Sequence, residues 1–417
     1  MKKILLLSLC SFSLFALDIN EAIERAMQNN PSLKEKELLF QASKENTNVA
    51  WSGFKPKIDL SYGYSEFSQK SFVGADSASA ADATLSYNLF NGFLDKYNLD
   101  KSEANEKVAH YTHEASKADL KLQVYLAYIN YLRSEQQILI SEQTIKLLEQ
   151  QLNDAKNFYE QGLFAKNDYL QVDVELSSAQ QALLASKRNI KISFFKLKRL
   201  LGAKLLKDEE LEDVSRKQKE VLINPLKNIM LENRSELKVL NAQKIVLNYS
   251  YEAAASNYYP KVDVQAKYQV AGEDPIPDGG ATFQIHDQTT TTLNLSWNLY
   301  QGGADEATRT SLMYQESASN ERLNDLYLEL DFQLEEAIEA YELAQNQITV
   351  ATKALEQAKE NFRITKNQFD ANIANTSLML DAQRFLAQTQ VNYYEANFAL
   401  YDAMGQIERV VEEDIFK

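Results

Sequence analysis

The sequence predicts a mainly α-helical protein with a smaller set of membrane-type β-strands, built by internal duplication. Three observations predict this class: a repeat with a period of about 205–210 residues, four segments of strictly alternating apolar and polar residues, and two very long stretches without Pro or Gly. The chain has 417 residues but only 12 Gly and 6 Pro. Such scarcity favours long helices.

The first 16 residues are typical of a secretory signal peptide. A basic start is followed by an apolar run from Ile4 to Phe15, and Ala16 precedes a plausible cleavage site. The sole cysteine, Cys10, lies inside this segment in a poor lipidation motif, so the processed chain has no thiols for disulfides or thiolate metal sites. No later segment approaches the ~20 apolar residues of a transmembrane helix. We therefore expect a periplasmic, extracellular or outer-membrane barrel protein.

The duplication rests on short matches that recur in the same order in both halves. They are Asn30-Pro31-Ser32-Leu33-Lys34 with Arg234-Ser235-Glu236-Leu237-Lys238, Phe54-Lys55-Pro56-Lys57-Ile58-Asp59 with Tyr258-Tyr259-Pro260-Lys261-Val262-Asp263, and Leu200-Leu201-Gly202 with Ala403-Met404-Gly405. A further match pairs Leu85-Ser86-Tyr87-Asn88-Leu89-Phe90-Asn91-Gly92 with Leu295-Ser296-Trp297-Asn298-Leu299-Tyr300-Gln301-Gly302. The predicted divisions are a signal peptide (1–16), a first repeat (17–202), a linker (203–224), a second repeat (225–407) and a C-terminal tail (408–417).

Each repeat reads as helix, strand, strand, very long helix and helix. The first helix is predicted over residues 18–52, with Asp18 as N-cap and Glu21 completing a capping box. Its counterpart in the second repeat is predicted over residues 225–256.

Four strands are predicted from period-2 alternation, over residues 57–67, 80–90, 261–270 and 290–300. Each has about 10 residues, the length that a tilted strand needs to cross a bilayer. A soluble antiparallel sheet with one wet face explains the alternation about as well. The signal peptide and the polar loop 274–280 favour a membrane barrel.

Four strands cannot close a barrel, because the smallest bacterial barrels have about eight. Open sheet edges would leave backbone groups unpaired in hydrocarbon. Several protomers must then share one barrel, although the sequence does not distinguish two, three or four copies.

The long helices are predicted from Phe93 to Gln161 and from Ala304 to Ala371, each roughly 100 Å long at 1.5 Å per residue. Apolar and aromatic residues recur in them at heptad spacing, which predicts a coiled-coil packing seam. The heptad sites are Tyr131, Ile138, Ile145, Leu152 and Tyr159 in the first helix and Tyr341, Ile348, Leu355, Phe362 and Phe369 in the second, with small residues such as Ala155 and Ala358 between them.

Each long helix ends at a short turn, which makes it the first arm of a helical hairpin. The tips are predicted at residues 161–168 and 371–377, with Gly162 and Asn372 closing the helices in the left-handed conformation. Side chains predicted to cap the returning helices are Asn167 or Asp168 and Thr376 or Ser377.

The sequence resembles the TolC family of outer-membrane efflux proteins over nearly the whole chain, from Asp18 to about Ile407. The most specific segments are the two strand exits, Asn88-Leu89-Phe90-Asn91-Gly92 and Asn298-Leu299-Tyr300-Gln301-Gly302, and the tip Gly162-Leu163-Phe164-Ala165-Lys166-Asn167-Asp168. The resemblance implies a homotrimer whose outer-membrane barrel has twelve strands, four per protomer, continued by a long periplasmic α-helical barrel. Residues 203–224 and the tail would contribute to an equatorial belt.

The resemblance also implies a pore constriction at the periplasmic helical end. Asp381 looks like an acidic residue of that ring, whereas Leu378 stands where the family often has a second aspartate. A partly apolar constriction of this kind gates by dewetting. Asp168 is the matching acid of the first hairpin, although a helix-dipole role explains either carboxylate equally well.

The tips would dock a periplasmic adaptor, a membrane fusion protein. The docking residues implied are Gly162, Leu163, Phe164, Ala165, Asn372, Ile373 and Ala374. Phe164 is expected to be exposed and to meet a partner or a neighbouring protomer. Further expected partners are an inner-membrane pump or secretion ATPase and outer-membrane lipid.

Other functions are less well supported by the residues. The net charge of −15 argues against nucleic-acid binding, and we find no catalytic constellation and no cofactor motif. His110 and His113 lack a supporting carboxylate cluster for a metal. The leading hypothesis is a passive exit duct for efflux or type I secretion, and the alternative is a periplasmic adaptor or coiled-coil scaffold. The cargo cannot be read from the sequence.

Overall fold

A computed structural model describes residues 17–68, 76–202, 211–279, 287–371 and 373–416. The predicted signal peptide with Cys10, the first part of the equatorial linker and the predicted tip residue Asn372 lie outside the described residues. In chain order the elements are α1 (Ile19–Asn29), α2 (Pro31–Trp51), β1 (Lys57–Glu66), β2 (Ser77–Phe90), α3 (Leu94–Glu160), α4 (Lys166–Leu200), α5 (Ile223–Asn233), α6 (Ser235–Ala254), β3 (Lys261–Gly272), β4 (Asp287–Ser296), α7 (Ala304–Asp370) and α8 (Thr376–Val411).

The first helix of each repeat is divided in two, so the prediction of single helices over 18–52 and 225–256 was wrong. Pro31 has no backbone N–H and restricts the residue before it, which places it at the start of a new helix. The Asn30 side chain caps α2 by accepting the Ser32 and Leu33 N–H groups at 2.9 and 3.2 Å. In the second repeat, Arg234 leaves the helical conformation between α5 and α6.

The helix start at Asp18 was predicted correctly, but its capping box was not. The Asp18 carboxylate accepts the Asn20 N–H at 3.1 Å. Glu21 instead forms an ion pair with Arg25 one turn later at 2.7 Å, because these residues share one helix face.

The four strands form one antiparallel sheet in the order β1-β2-β3-β4. β2 begins three residues before the predicted start, and β4 spans Asp287–Ser296 rather than 290–300. The predicted strand residue Trp297 lies beyond the end of β4, where its indole N–H donates to the Tyr258 carbonyl at 3.2 Å. β1 and β4 are the two edges, and in the described chain no other strand pairs with their outer sides.

The register separates an apolar face from a polar face. On one face Ile58 opposes Leu85, and on the other Ser61 opposes Asp82. Asp82 also forms an ion pair with Lys267 of β3 at 3.1 Å. The apolar side chains of the edge strands are strongly exposed, with Leu60 of β1 at 81%. The predicted alternation therefore holds, and the chain leaves its apolar sheet face uncovered.

Two compact units make up the chain, and each contains corresponding pieces of both repeats. One comprises the residues up to Glu35, Glu114–Ser235 and the residues from Tyr327 onward. The other comprises Lys36–His113 and Glu236–Leu326, including the sheet. Within the described ranges, no helix combines the length and the apolarity that a membrane crossing needs.

The core of the first unit forms around Tyr128 of α3, which is fully buried. Its hydroxyl donates to the Leu17 carbonyl at 2.6 Å and lies 2.7 Å from the Glu212 carbonyl oxygen. Leu17 also forms a parallel β-bridge with Leu211 of the linker. The described part of the linker is therefore fixed to α3, and it ends at residue 222 because α5 begins at Ile223.

The C-terminal segment is more ordered than predicted. α8 continues to Val411, so residues 408–411 belong to the helix and not to a tail. The helix continues because Ile407 and Val411 are fully buried against the core. Phe416 is also buried, with its ring 5.3 Å from that of Tyr341.

The predicted heptad seam holds in α7 and is shifted in α3. In α7 the heptad residues Tyr341, Leu355 and Phe369 are buried. Within the heptad region of α3, residues 131–159, the deepest residues are Leu148 and the small Ala155, both at the intervening sites. The predicted α3 heptad residues are half-buried or, at Tyr159, exposed. Small side chains admit the closest helix approach, which centres the α3 seam on the intervening sites.

Candidate functional site

The first hairpin tip turns at Gly162, as predicted. Gly162 has a φ of 76°, in the left-handed region that favours glycine at a helix end. The following Leu163 and Phe164 N–H groups both donate to the Phe158 carbonyl, at 2.9 and 3.3 Å. The turn is therefore closed by its own backbone.

The helices that return from the two tips are capped differently from the prediction. Ala165 is the N-cap residue of α4, and the Asp168 carboxylate accepts the Ala165 N–H at 3.1 Å. Asn375, rather than Thr376 or Ser377, caps α8 by accepting the Leu378 N–H at 2.9 Å.

Four of the seven predicted docking residues are exposed, as the prediction requires. Gly162 and Ala165 are exposed, Leu163 is 58% exposed and Ile373 is 77% exposed. Asn372 lies outside the described residues.

The expectation of an exposed Phe164 was wrong, because Phe164 is half-buried, and Ala374 is buried. The Phe164 ring lies 5.0 Å from Phe158 and 5.6 Å from Phe369, between the two hairpins. Phe369 and Ala374 are themselves buried in this cluster. Aromatic rings at these distances stabilise the packing of both tips, so Phe164 joins the hairpins to each other.

The predicted constriction residues occupy two different helices. Asp381 and Leu378 lie on α8, where the Asp381 side chain is 63% exposed and Leu378 is 49% exposed. Asp168 lies on α4, and its carboxylate is turned to the start of its own helix. The structure therefore leaves Asp381 and Leu378 available to line a passage, whereas Asp168 acts as a capping residue.

A charged group beside Asp381 was not predicted from the sequence. Arg384 donates two hydrogen bonds to the Glu175 carboxylate of α4, at 2.7 and 3.0 Å. Its remaining terminal nitrogen lies 3.3 Å from Asp381. One guanidinium thus joins α8 to α4 and neutralises part of the Asp381 charge.

The electrostatics of this group follow from the bidentate contact. The hydrogen bonds from Arg384 lower the pKa of Glu175 below its usual value, against the smaller opposing effect of burial. Both side chains remain partly exposed, and exposed ion pairs contribute at most about 1 kcal/mol. The ion pair of Arg384 and Glu175 therefore affects the local charge and geometry more than the stability of the fold.

Phe385 is a second residue that sequence reasoning missed. It is 52% exposed and lies seven residues after Leu378 and four after Asp381 on α8. Residues at this spacing share one helix face. The exposed face of α8 therefore presents apolar, acidic and apolar side chains in succession.

Of the two helical histidines, His113 is buried and His110 packs against an aromatic ring. His110 lies against the Phe40 ring, with 5.2 Å between centroids. In the parts of the chain that the structure describes, the His, Cys, Asp and Glu side chains form no cluster that could hold a metal ion.

The sequence of the chain matches one protein family over both repeats. A profile of the family described as "Outer membrane efflux protein" matches residues 22–203 and 226–411. The two matched segments cover most of the chain and omit only the linker between the repeats and the two ends.

Individual relatives and solved structures show the same similarity. The toluene efflux pump outer membrane protein TtgF of Pseudomonas putida is 22% identical over 408 residues, which cover 93% of this chain and 83% of the relative. The outer membrane protein TolC of Vibrio cholerae is 21% identical over 419 residues, covering 97% and 94%. The structure of the Campylobacter jejuni CmeC outer membrane channel superposes with a TM-score of 0.84 at 14% identity, covering 96% of this chain and 87% of CmeC.

Duplicated strand pairs and paired helical hairpins define the class of outer-membrane efflux channels. The chain belongs to the outer membrane efflux protein family, with the fold of the TolC-like channels, and it functions at the outer membrane as a channel component.

Proposed function

We propose that this chain is the exit duct of a tripartite efflux or type I secretion system, and that it works as a homotrimer without catalytic activity. Each protomer would give four strands to a twelve-stranded barrel in outer-membrane lipid. The helical hairpins would form the periplasmic part of the passage. The duct itself is passive, and an inner-membrane pump or secretion ATPase supplies the energy.

The open edges of the sheet support an assembly of several copies. Every residue of β1 and β4 is exposed, and these strands are the edges of the sheet. In hydrocarbon, each unpaired backbone group costs several kcal/mol. Pairing of β4 with β1 of the next copy removes both edges at once.

An uncovered apolar stripe on α7 is the observation that carries the proposal. Leu343, Val350 and Ile364 are 57%, 70% and 43% exposed and fall at heptad spacing, with Gln357 at the position between the last two. They form a second stripe beside the buried one that contains Tyr341 and Leu355. Heptad stripes of apolar residues are packing seams for another helix. Each α7 therefore has one seam within its own chain and a second seam for a sister chain.

The proposed gate lies on the exposed face of α8. Three copies of Leu378 and Asp381 would form an apolar ring and an acidic ring, and Arg384 would hold this segment against Glu175 of α4. Narrow apolar rings exclude water, and acidic rings favour cations. Asp168 would contribute indirectly, by keeping the start of α4 in place.

The tips are the proposed docking surface for a periplasmic adaptor. The exposed apolar residues Leu163 and Ile373, beside Gly162 and Ala165, provide a surface with little steric hindrance. Phe164 and Ala374 would support this surface from below. Asn372 remains part of the proposal.

A periplasmic coiled-coil scaffold is the alternative function. A scaffold extracts from cells in buffer without detergent, whereas a membrane duct needs detergent. The exposed apolar face of the sheet, with Leu293 and Leu295 at 68% and 67% exposure, favours the duct.

Conductance across a planar lipid bilayer tests the proposal. We expect the purified oligomer to conduct, with a preference for cations that falls in Asp381→Asn. Asp325→Asn is the matched control, because it removes the same charge from an exposed site on α7. A folded oligomer that conducts in neither form would contradict a channel function.

A further inference from the structure

The seam that holds the first turns of α8 contains polar groups within an apolar cluster. Leu148 and Ala155 of α3 pack there with Val172 and Leu176 of α4 and with Leu380 of α8. A cluster of this composition is favourable when every buried atom is apolar or hydrogen-bonded.

Two buried glutamines do not meet this condition. Gln151 of α3 is 5% exposed and Gln383 of α8 is 4% exposed. Both amide atoms of each side chain are shielded from solvent and have no hydrogen-bond partner among the described residues. The Oγ1 atom of Thr376, at the first residue of α8, has none either.

Buried hydroxyls elsewhere on the same helices are hydrogen-bonded, so burial alone does not explain the unpaired amides. The Ser141 hydroxyl donates to the Gln137 carbonyl at 2.8 Å. The Thr389 hydroxyl donates to the Phe385 carbonyl at 2.9 Å.

Arg133 and Asp402 on these helices also have one atom each without a hydrogen-bond partner, but they bond to each other through other atoms. In Gln151, Gln383 and Thr376, by contrast, no side-chain polar atom has a hydrogen-bond partner among the described residues.

Gln383 borders a cavity between three helices. A cavity of about 370 Å³ adjoins it, bounded by α3, α4 and α8, with Ser141, Thr144 and Gln388 among its lining residues. A displacement of α8 would bring the Gln383 amide into this cavity, where water supplies the missing hydrogen bonds. The observed packing keeps the amide dry, and the displaced helix would hydrate it.

We propose that Gln383 and Gln151 weaken the seam between α8 and α3 so that the start of α8 can separate from it. The unpaired amides oppose the packed state, and Arg384 with Glu175 holds it from the surface. Asp381 lies in the same segment of α8. The inference rests on the proposed gate, because it concerns the energy of opening that gate.

The direct test is hydrogen exchange of the full-length oligomer with Gln383→Met. Methionine has a similar shape without the amide, and replacing an unpaired polar group by an apolar one favours the packed state. We expect backbone N–H groups in residues 376–390 to exchange about tenfold more slowly, which corresponds to about 1.4 kcal/mol. Gln406→Met is the control, since Gln406 is exposed on the same helix, and it should leave exchange of residues 376–390 unchanged.

A second variant keeps the test decisive if methionine fits poorly at position 383. Gln151→Met removes the other unpaired amide from α3 and should slow exchange of the same α8 segment. Exchange that is unchanged or faster in both variants, with the oligomer intact, would overturn the inference.

Conductance separates this inference from the proposed function. If wild type opens and closes, Gln383→Met should open several-fold less often, and an unchanged opening frequency despite slower exchange would overturn the link to gating. A wild-type oligomer that never conducts would refute the duct, while the exchange result would still decide whether the glutamines weaken the seam.

Discussion

The buried ion pair between Arg216 and Glu408 provides the sharpest test of how the linker is held. The Arg216 guanidinium lies 2.7 Å from the Glu408 carboxylate, and the side chains are only 14% and 7% exposed. The second Glu408 oxygen accepts the Phe416 N–H at 3.0 Å. Glu408 therefore joins the linker, α8 and the C-terminal segment.

Arg216→Met removes the only side chain that pairs with Glu408 in the described structure. The Arg216 guanidinium also lies 4.5 Å from the centre of the Tyr125 ring, so a contact on that side is lost as well. Breaking a buried pair costs about 3–5 kcal/mol, because one charge stays buried without its partner. Removing both charges costs far less, so we expect Arg216→Met/Glu408→Gln to regain most of the lost stability.

Denaturant unfolding of the detergent-solubilised protein, followed by circular dichroism, measures the difference. Arg363→Met is the control, since its pair with Glu360 is exposed and should add nothing measurable. The reasoning is refuted if Arg216→Met unfolds like wild type, or if the double variant is no more stable than the single one.

Three further predictions concern α8 and the tips. Gly405→Ala should destabilise the fold by about 1–3 kcal/mol, because the new Cβ would lie 2.6 Å from the Tyr125 ring; thermal unfolding measures it. Arg384 lowers the pKa of Glu175. The stability that this ion pair contributes to the folded protein is therefore present at neutral pH and is lost as the pH falls through the range in which Glu175 becomes protonated. Arg384→Gln should remove that part of the acid dependence of unfolding. Leu163→Ser and Ile373→Ser should weaken adaptor binding in pull-down assays without changing thermal unfolding.

Local patterns made most of the fold predictable from the sequence. Strand alternation, the turn at Gly162 and the long helices depend on neighbouring residues, and all are present in the structure. The break at Pro31 had a local signal as well, because proline at the start of a helix is common. The corresponding break at Arg234 had no such signal, since Ser235 stands where the first repeat has Pro31.

The chemistry of the candidate site depends on contacts between distant parts of the chain. Arg384 and Glu175 are 209 residues apart, and nothing in either segment predicts the other. Phe164 is half-buried because Phe369 of the second hairpin covers it. The unpaired Gln383 amide is also a property of three-helix packing, which heptad spacing alone does not reveal.

The number of chains in the membrane-extracted protein tests the central claim most directly. The proposed homotrimer predicts that native mass spectrometry in detergent gives the mass of three processed chains, in which the edges of β1 and β4 and the outer α7 stripe would be covered by sister chains. A single chain that stays soluble in plain buffer, with its β-sheet intact by circular dichroism, would contradict the account.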